Sequence, residues 1–245
     1  AFFDLDLPGI MEILAKKNYR LVMDADHVKE VTLHNVRGDL RTSYMHNKFC
    51  ILDKSKVIMG SMNPTFNDVY KNDNTLVLLE STTLSRNYLE EFEELWNGTF
   101  GGGTPVKHPR FFFNGYLVEN YFCPEDSCSR HLLTLLQNAS RRIHFMVFSF
   151  TDDRIGQELI KNAHYGIDVK GVFDTTQAGN RYSEFHTLTS AGLPVVKDRT
   201  KGFMHHKIFI IDDAVIVGSY NPTKSADERN DENILIFHDP MITSL

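Results

Sequence analysis

Short apolar runs alternate with amphipathic stretches along this chain, the pattern of an α/β protein. The pattern is clearest between residues 141 and 174. RRIHFMVFSF (141–150) is short, apolar and aromatic-rich, and predicts a buried strand. Thr151-Asp152-Asp153 then offers capping residues for IGQELIKNAHYG, an amphipathic helix closed by Gly166. IDVKGVFD (167–174) predicts the next strand. Near the start, FFDLDLPGIMEILAKKN followed by YRLVMD (19–24) repeats the helix–strand succession, entering inside a strand. LEEFEELWNG predicts an amphipathic helix ending at Trp96 and Gly98. GGGTP (101–105) reads as a flexible linker, and Phe111-Phe112-Phe113 as the lead-in strand of a second domain.

The chain is also internally duplicated. Residues 44–79 (YMHNKFCILDKSKVIMGSMNPTFNDVYKNDNTLVLL) and 203–237 (FMHHKIFIIDDAVIVGSYNPTKSADERNDENILIF) share Met-His-x-Lys, Asp, Gly-Ser-x-Asn-Pro-Thr and Asn-Asp in the same order between apolar stretches. The offset, roughly 150–160 residues, is far above that of a solenoid and marks a duplicated domain. The expected division is a first domain over 1–100, a linker over 101–109 and a second domain over 110–245. About thirty residues of the second copy, roughly 115–142, have no counterpart ahead of Ala1. The first domain is therefore expected to lack its N-terminal strand and helix.

The recurrent polar residues are His46, Lys48, Asp53, Ser61 and Asn63 in one copy, and His205, Lys207, Asp212, Ser219 and Asn221 in the other. His and Lys two apart on a strand share one face. A phosphate suits that face: lysine is a point charge, Ser and Asn are neutral donors, and histidine is a nucleophile or proton carrier. Two such sets meeting about a pseudo-twofold axis would make one site. One imidazole would attack phosphorus to form a phosphohistidine while the other protonates the leaving alcohol and then activates water. Two lysines and two asparagines would stabilise the charged oxygens, so no metal or other cofactor is called for.

H-x-K-x4-D followed by G-S-x-N resembles the signature of the phospholipase D superfamily, and both copies carry it: His46, Lys48 and Asp53, then His205, Lys207 and Asp212. The resemblance spans nearly the whole chain. It implies two similar α/β/α sandwich domains with mixed β-sheets, related by a pseudo-twofold axis, around a shared cleft. It also implies metal-independent catalysis through a phosphohistidine, with Asp53 and Asp212 mainly structural. In that family an acidic residue after each motif bonds the histidine of the other domain. Glu232 matches that position; in the first copy Asn74 stands there, with Asp73 beside it as an alternative acid. A carboxylate on the far imidazole nitrogen favours the attacking role. His46, supported by Glu232, is thus expected to be the nucleophile, and His205, supported by Asn74, the general acid and base.

Composition narrows the remaining choices. At 42% apolar and 24% charged residues the chain is not disordered, and it has no apolar run long enough for a transmembrane helix. AFFDLDLPGI lacks the features of a secretory leader, and a cytoplasmic setting is the expectation. The net charge of −6 argues against a broad polyanion grip but allows a locally basic cleft, to which Lys107, Arg110, Lys197, Arg199, Lys201 and Lys224 are assigned. Cys123 and Cys128 are near enough to bridge, but two unlinked thiols are expected. His206 is expected to face away from His205. His27, His34, His108, His131, His144, His164, His186 and His238 are read as packing or surface residues, and Met45 and Met204 as packing beneath the site. The expected substrate is DNA or RNA, the protein acting as a nuclease. Membrane phospholipid is the alternative, and an inactive nucleic-acid-binding module the third reading. The oligomeric state is open.

Overall fold

The computed structural model describes residues 1–244. The first half contains α1 (Pro8–Ala15), β1 (Leu21–Met23), β2 (Val36–Gly38), β3 (Phe49–Leu52), β4 (Lys56–Gly60), α2 (Phe66–Tyr70), β5 (Leu76–Glu80) and α3 (Thr82–Trp96). The second contains β6 (Arg110–Phe113), β7 (Tyr116–Cys123), α4 (Cys128–Gln137), β8 (Arg142–Val147), α5 (Asp153–His164), β9 (Asp168–Phe173), α6 (Glu184–Ser190), β10 (Val195–Lys197), β11 (Lys207–Ile211), β12 (Ala214–Gly218), α7 (Lys224–Glu228) and β13 (Glu232–His238).

The second half is a mixed eight-stranded sheet in the order β10-β9-β8-β11-β12-β13-β7-β6. β8, β9 and β10 run parallel, and the remaining pairings are antiparallel. The first half repeats part of this order. β2 pairs with β1 in parallel, and β3, β4 and β5 form an antiparallel sheet. Phe2 bridges Met23 on one side and Lys48 on the other, joining the two sheets at the place β8 holds in the second half.

Local chemistry explains the elements the pattern indicated. Asp152 caps α5 by accepting from Arg154 N, and Gly166 takes a φ of 85° just beyond that helix. β13 is buried along nearly its whole length, as a strand covered on both faces must be. One core lies between the second sheet and α4, α5 and α6. A second joins the halves: Val57, Met59, Leu79, Tyr88, Phe92 and Leu95 pack with Val118, Phe122, Val215, Val217, Leu235 and Phe237.

Two expectations are corrected by the fold. The segment at 101–105 is not a loose linker. Gly101 N donates to Asp231 Oδ1 at 2.6 Å, Thr104 N to Glu94, and Val106 N to Asp126, so buried and half-buried carboxylates pin it. Cys123 and Cys128 are joined in a disulfide, their Cα atoms 5.8 Å apart where β7 turns into α4. Phe111–Phe113 do form a strand, β6, in a hairpin with β7.

Candidate active site

Each His-x-Lys segment is the extended lead-in to a strand, β3 or β11. The preceding residue is fastened from below: Met45 N donates to Asp24 Oδ2 at 2.8 Å and Met204 N to Asp174 Oδ2 at 3.1 Å. Met45 and Met204 are buried, as are Asp24 and Asp174 at the ends of β1 and β9. Each lead-in is then stitched to the opposite half by backbone. His46 N donates to Asp231 O and Asp231 N to Tyr44 O; His205 N donates to Asp73 O and Asp73 N to Phe203 O. The Gly-Ser step of each motif has a steric cause. A Cβ on Gly60 would lie 2.1 Å from Thr75 O, and one on Gly218 2.1 Å from Asn233 O, so the returning strand can approach only glycine.

These stitches bring the two sets together. His46 Nδ1 lies 2.8 Å from Glu232 Oε2, and His205 Nδ1 lies 3.0 Å from Asn74 Oδ1. Both contacts cross between halves. With Nδ1–H donating to these acceptors, Nε2 of each ring is left for a reacting atom; the tautomer follows from the partner. Ser219 Oγ donates to Glu232 at 2.6 Å, and Ser61 Oγ to Asn74 at 2.8 Å. Ser61 and Ser219, assigned to phosphate support from the sequence, are fully buried and instead orient the residues behind the histidines. Asn63 is held by Asp68, its Nδ2 3.0 Å from Oδ2, while Asn221 Oδ1 accepts from Ser149 N.

Lys48 and Lys207 are 1% and 3% exposed, and each Nζ donates to the carbonyl of its own histidine at 2.7 Å. Burial, opposed by Glu232 and Asp68, leaves the Lys48 ammonium down at about 8; burial and the neighbouring Lys48 push Lys207 well below its usual value. Burial, then Lys48 and Lys207, pushes His46 well below the usual imidazole value. Burial, then Lys207 and Lys48, does the same to His205. Burial raises Glu232 to about 8 against the pull of Lys48. Burial is the first cause of each of these shifts, and an entering phosphate would favour the charged lysines and a protonated imidazole against it.

Each histidine also has an aromatic wall. Phe3 stands edge-on to His46 (centroids 5.3 Å) and to Tyr44 (5.2 Å), with Lys48 Nζ 5.3 Å from its ring. Phe148 repeats this with His205 (4.7 Å), Phe203 (5.5 Å) and Lys207 Nζ (5.2 Å). Behind the site, Asn233 Nδ2 donates to Asn47 Oδ1 at 2.6 Å, and His206 Nδ1 lies 2.7 Å from Thr75 Oγ1. His206 faces away from the reacting side and closes the seam between the halves.

The two motif aspartates differ. Asp212, at a φ of 52°, accepts from the N–H groups of Ser140, Arg141 and Arg142 and from Ser140 Oγ. Burial alone would raise its carboxyl, but those donors outweigh burial and hold it below the usual range. Asp53, at a φ of 49°, is an exposed turn residue. Of the basic residues assigned to the cleft, three are occupied elsewhere: Lys107 with Glu90, Arg110 with Glu119 at the sheet's outer edge, and Lys224 with Glu228. Lys197 lies over Phe185, and Arg199 and Lys201 are exposed in the loop leading to the second motif. His27 lies 3.5 Å from Asp4 and packs edge-on against Phe3, the ring that also borders His46.

Sequence reasoning missed Asp68, Asp24, Asp174 and the aromatic walls. Asp24 and Asp174 were visible in the paired strings VMD and VFD, and Phe3 and Phe148 in FFD and VFS. Asp68 had no such signal, because its counterpart is Ala226.

A duplicated α/β unit whose halves exchange supports for a pair of histidine–lysine sets defines the class. Residues 8–96 and 132–245 match the family described as cardiolipin synthase, PLD-like domain, and the chain belongs to that family, within the phospholipase D superfamily. It is similar to a phospholipase D of Rickettsia bellii, 32% identical over 123 residues, covering 50% of this chain and 61% of that protein. It is also similar to the mitochondrial cardiolipin hydrolase of Xenopus tropicalis, 34% identical over 131 residues, covering 52% of this chain and 62% of that protein. The chain thus spans about three fifths of the length of these curated relatives. Its fold is shared with the phosphatidylserine synthase of Haemophilus influenzae at a TM-score of 0.65 and 12% identity, over 82% of this chain and 58% of that one.

Proposed function

We propose that this protein is a phosphodiesterase that works through a phosphohistidine, with nucleic acid as its substrate. The observation that carries the reaction is the convergence of His46, Lys48, His205 and Lys207 on one buried site, with Glu232 on His46 Nδ1 at 2.8 Å. His46 Nε2, its lone pair freed by the Nδ1–H···Glu232 bond, attacks phosphorus. The P–O bond to the leaving alcohol breaks, and His205 gives that oxygen its proton. His205 then takes a proton from water, whose oxygen attacks the phosphohistidine and releases His46. Lys48 and Lys207 balance the charge on the non-bridging oxygens in a water-poor site. The negative phosphate also favours the proton on His205, offsetting the burial that otherwise drives it off.

The nucleic-acid reading rests on the matched aromatic walls. Tyr44 and Phe203, each 44% exposed, pack on Phe3 and Phe148, the rings beside His46 and His205, where bases flanking a scissile phosphate would stack. Arg199 and Lys201 lie in the loop that leads to Phe203. A second reading, membrane phospholipid, is favoured by the names of the relatives and by α2, which comes after the Asn63 loop and exposes Phe66, Val69 and Tyr70. One assay separates them. Incubated in EDTA with labelled single- and double-stranded nucleic acid, and separately with phosphatidylcholine vesicles, the protein should cut strands; lipid turnover without strand cleavage would overturn the choice. His46→Asn and His205→Asn should each lower turnover by at least about 10³-fold. Only the His205 variant should still accept a phosphoryl label.

A further inference from the structure

We infer that Asp68 is the acidic partner of His205, replacing from a different position the carboxylate that the first half lacks after its motif. The inference rests on the reading of His205 as general acid. From the motif serine onward the two copies align without a gap: Ser61, Asp68 and Asn74 against Ser219, Ala226 and Glu232. The carboxylate has moved six residues back along the chain, from the start of a strand to the short helix α2, and an amide has taken its former place.

The geometry carries the relocated charge to the same ring nitrogen. Asp68 Oδ1 lies 3.8 Å from His205 Nδ1, behind the Asn74 Oδ1 that contacts this nitrogen at 3.0 Å. Asp68 is 6% exposed and rigidly held. Its Oδ2 accepts from Asn63 N and Nδ2 at 2.7 and 3.0 Å, and its Oδ1 accepts from Asn72 Nδ2 at 2.7 Å. Asn74 Nδ2 in turn donates to Asp68 O at 3.1 Å, so amide and acid form one unit. The division of labour follows from charge. A neutral amide oxygen can fix the tautomer of His205 but cannot compensate an imidazolium. Asn74 and Phe148 also face the ring but carry no charge, and Lys207, Lys48, His46 and His206 oppose its protonation. Asp68 sets a carboxylate oxygen 3.8 Å from the same ring nitrogen, where a negative charge favours the imidazolium, and its charge also reaches His46, Lys48 and Lys207. Asp68 touches no reacting atom; it is a positioning residue.

The test moves the charge. In Asp68→Asn the His205 pKa, read from imidazole 15N shifts across a pH titration of the whole protein, should fall by about one unit or more. Turnover of bis(p-nitrophenyl) phosphate should fall about 10–100-fold, its alkaline limb moving to lower pH by the same interval. Asp68→Asn/Asn74→Glu, which restores the carboxylate where the second copy has it, should recover both. Should Asp68→Asn fail to fold, Asn74→Glu in the unaltered background should raise the His205 pKa. A folded Asp68→Asn protein with an unmoved His205 pKa, or an Asn74→Glu protein with no rise, would overturn the inference. The titration needs no turnover. Absence of phosphodiester cleavage by the unaltered protein would therefore defeat the proposed function while leaving this coupling to stand or fall by itself.

Discussion

An ammonium group at 1% or 3% exposure has lost nearly all its water; Lys48 and Lys207 each regain the carbonyl of their own histidine, an aromatic face and the distant charges of Glu232 and Asp68. In the proposed reaction their part is to hold an anion, since desolvation offsets what a buried charge adds to stability. Lys207→Met, similar in length but uncharged, should therefore lower turnover by about 10²–10³-fold, as loss of a transition-state donor does. Its melting temperature should stay level or rise; scanning calorimetry showing a clear drop with turnover intact would contradict this. The histidines add a pH dependence. Both refuse protons when folded, chiefly through burial, whereas in the unfolded chain they take them up near pH 6.5. Below that pH the unfolded state binds more protons, so stability should fall with acidification, and less so in His205→Asn. Denaturant midpoints between pH 7 and 5 measure it.

At the scale of elements, the same motif letter performs different work in the two halves. Asp212 ties β11 to the start of β8 through four hydrogen bonds, whereas Asp53 sits in an open turn. Asp212→Ala should cost about 2–3 kcal/mol and Asp53→Ala less than about 0.5 kcal/mol by urea unfolding. Glu119 joins β6, β7 and β13 through Arg110, Tyr121 and His238. Burial would raise its carboxyl, but the bonds from His238, Tyr121 and Arg110 prevail and hold it down at about 2. Its stabilisation is present above the unfolded value of 4.5 and is lost as pH falls through about 2. Glu119→Gln should remove this component, on the order of 2 kcal/mol at neutral pH. Comparing the two proteins' acid unfolding curves tests it.

Across the whole molecule, duplication made the motif residues legible but not everything it marked, since Asp24 with Asp174 and Phe3 with Phe148 recur in both copies and were passed over. His46, Lys48, His205, Lys207 and Glu232 stood out because two copies, or a known pattern, framed them. Asp68 did not, since comparing the copies sets it against Ala226 and it drops out as a mismatch. The α/β alternation revealed most elements because strand and helix periods are local properties. The pinning of residues 101–106 was invisible because it comes from Glu94, Asp126 and Asp231, which lie 10, 20 and 130 residues away in sequence from the groups they hold. The cysteine pair was likewise undecidable from spacing, since closure depends on the turn from β7 into α4. Replacing both Cys123 and Cys128 by serine should cost about 2 kcal/mol for so short a loop, with the midpoint of denaturant unfolding as the readout.

The main-chain bonds from His46 to Asp231 and from His205 to Asp73 make the halves mutually dependent. Neither half owns a working histidine by itself, because each ring is aimed by groups rooted in the other. The molecule cannot part along that junction, even briefly, without disarming both imidazoles at once. The proposed activity would thereby be confined to the joined halves, and a partly melted copy would be inert rather than indiscriminate.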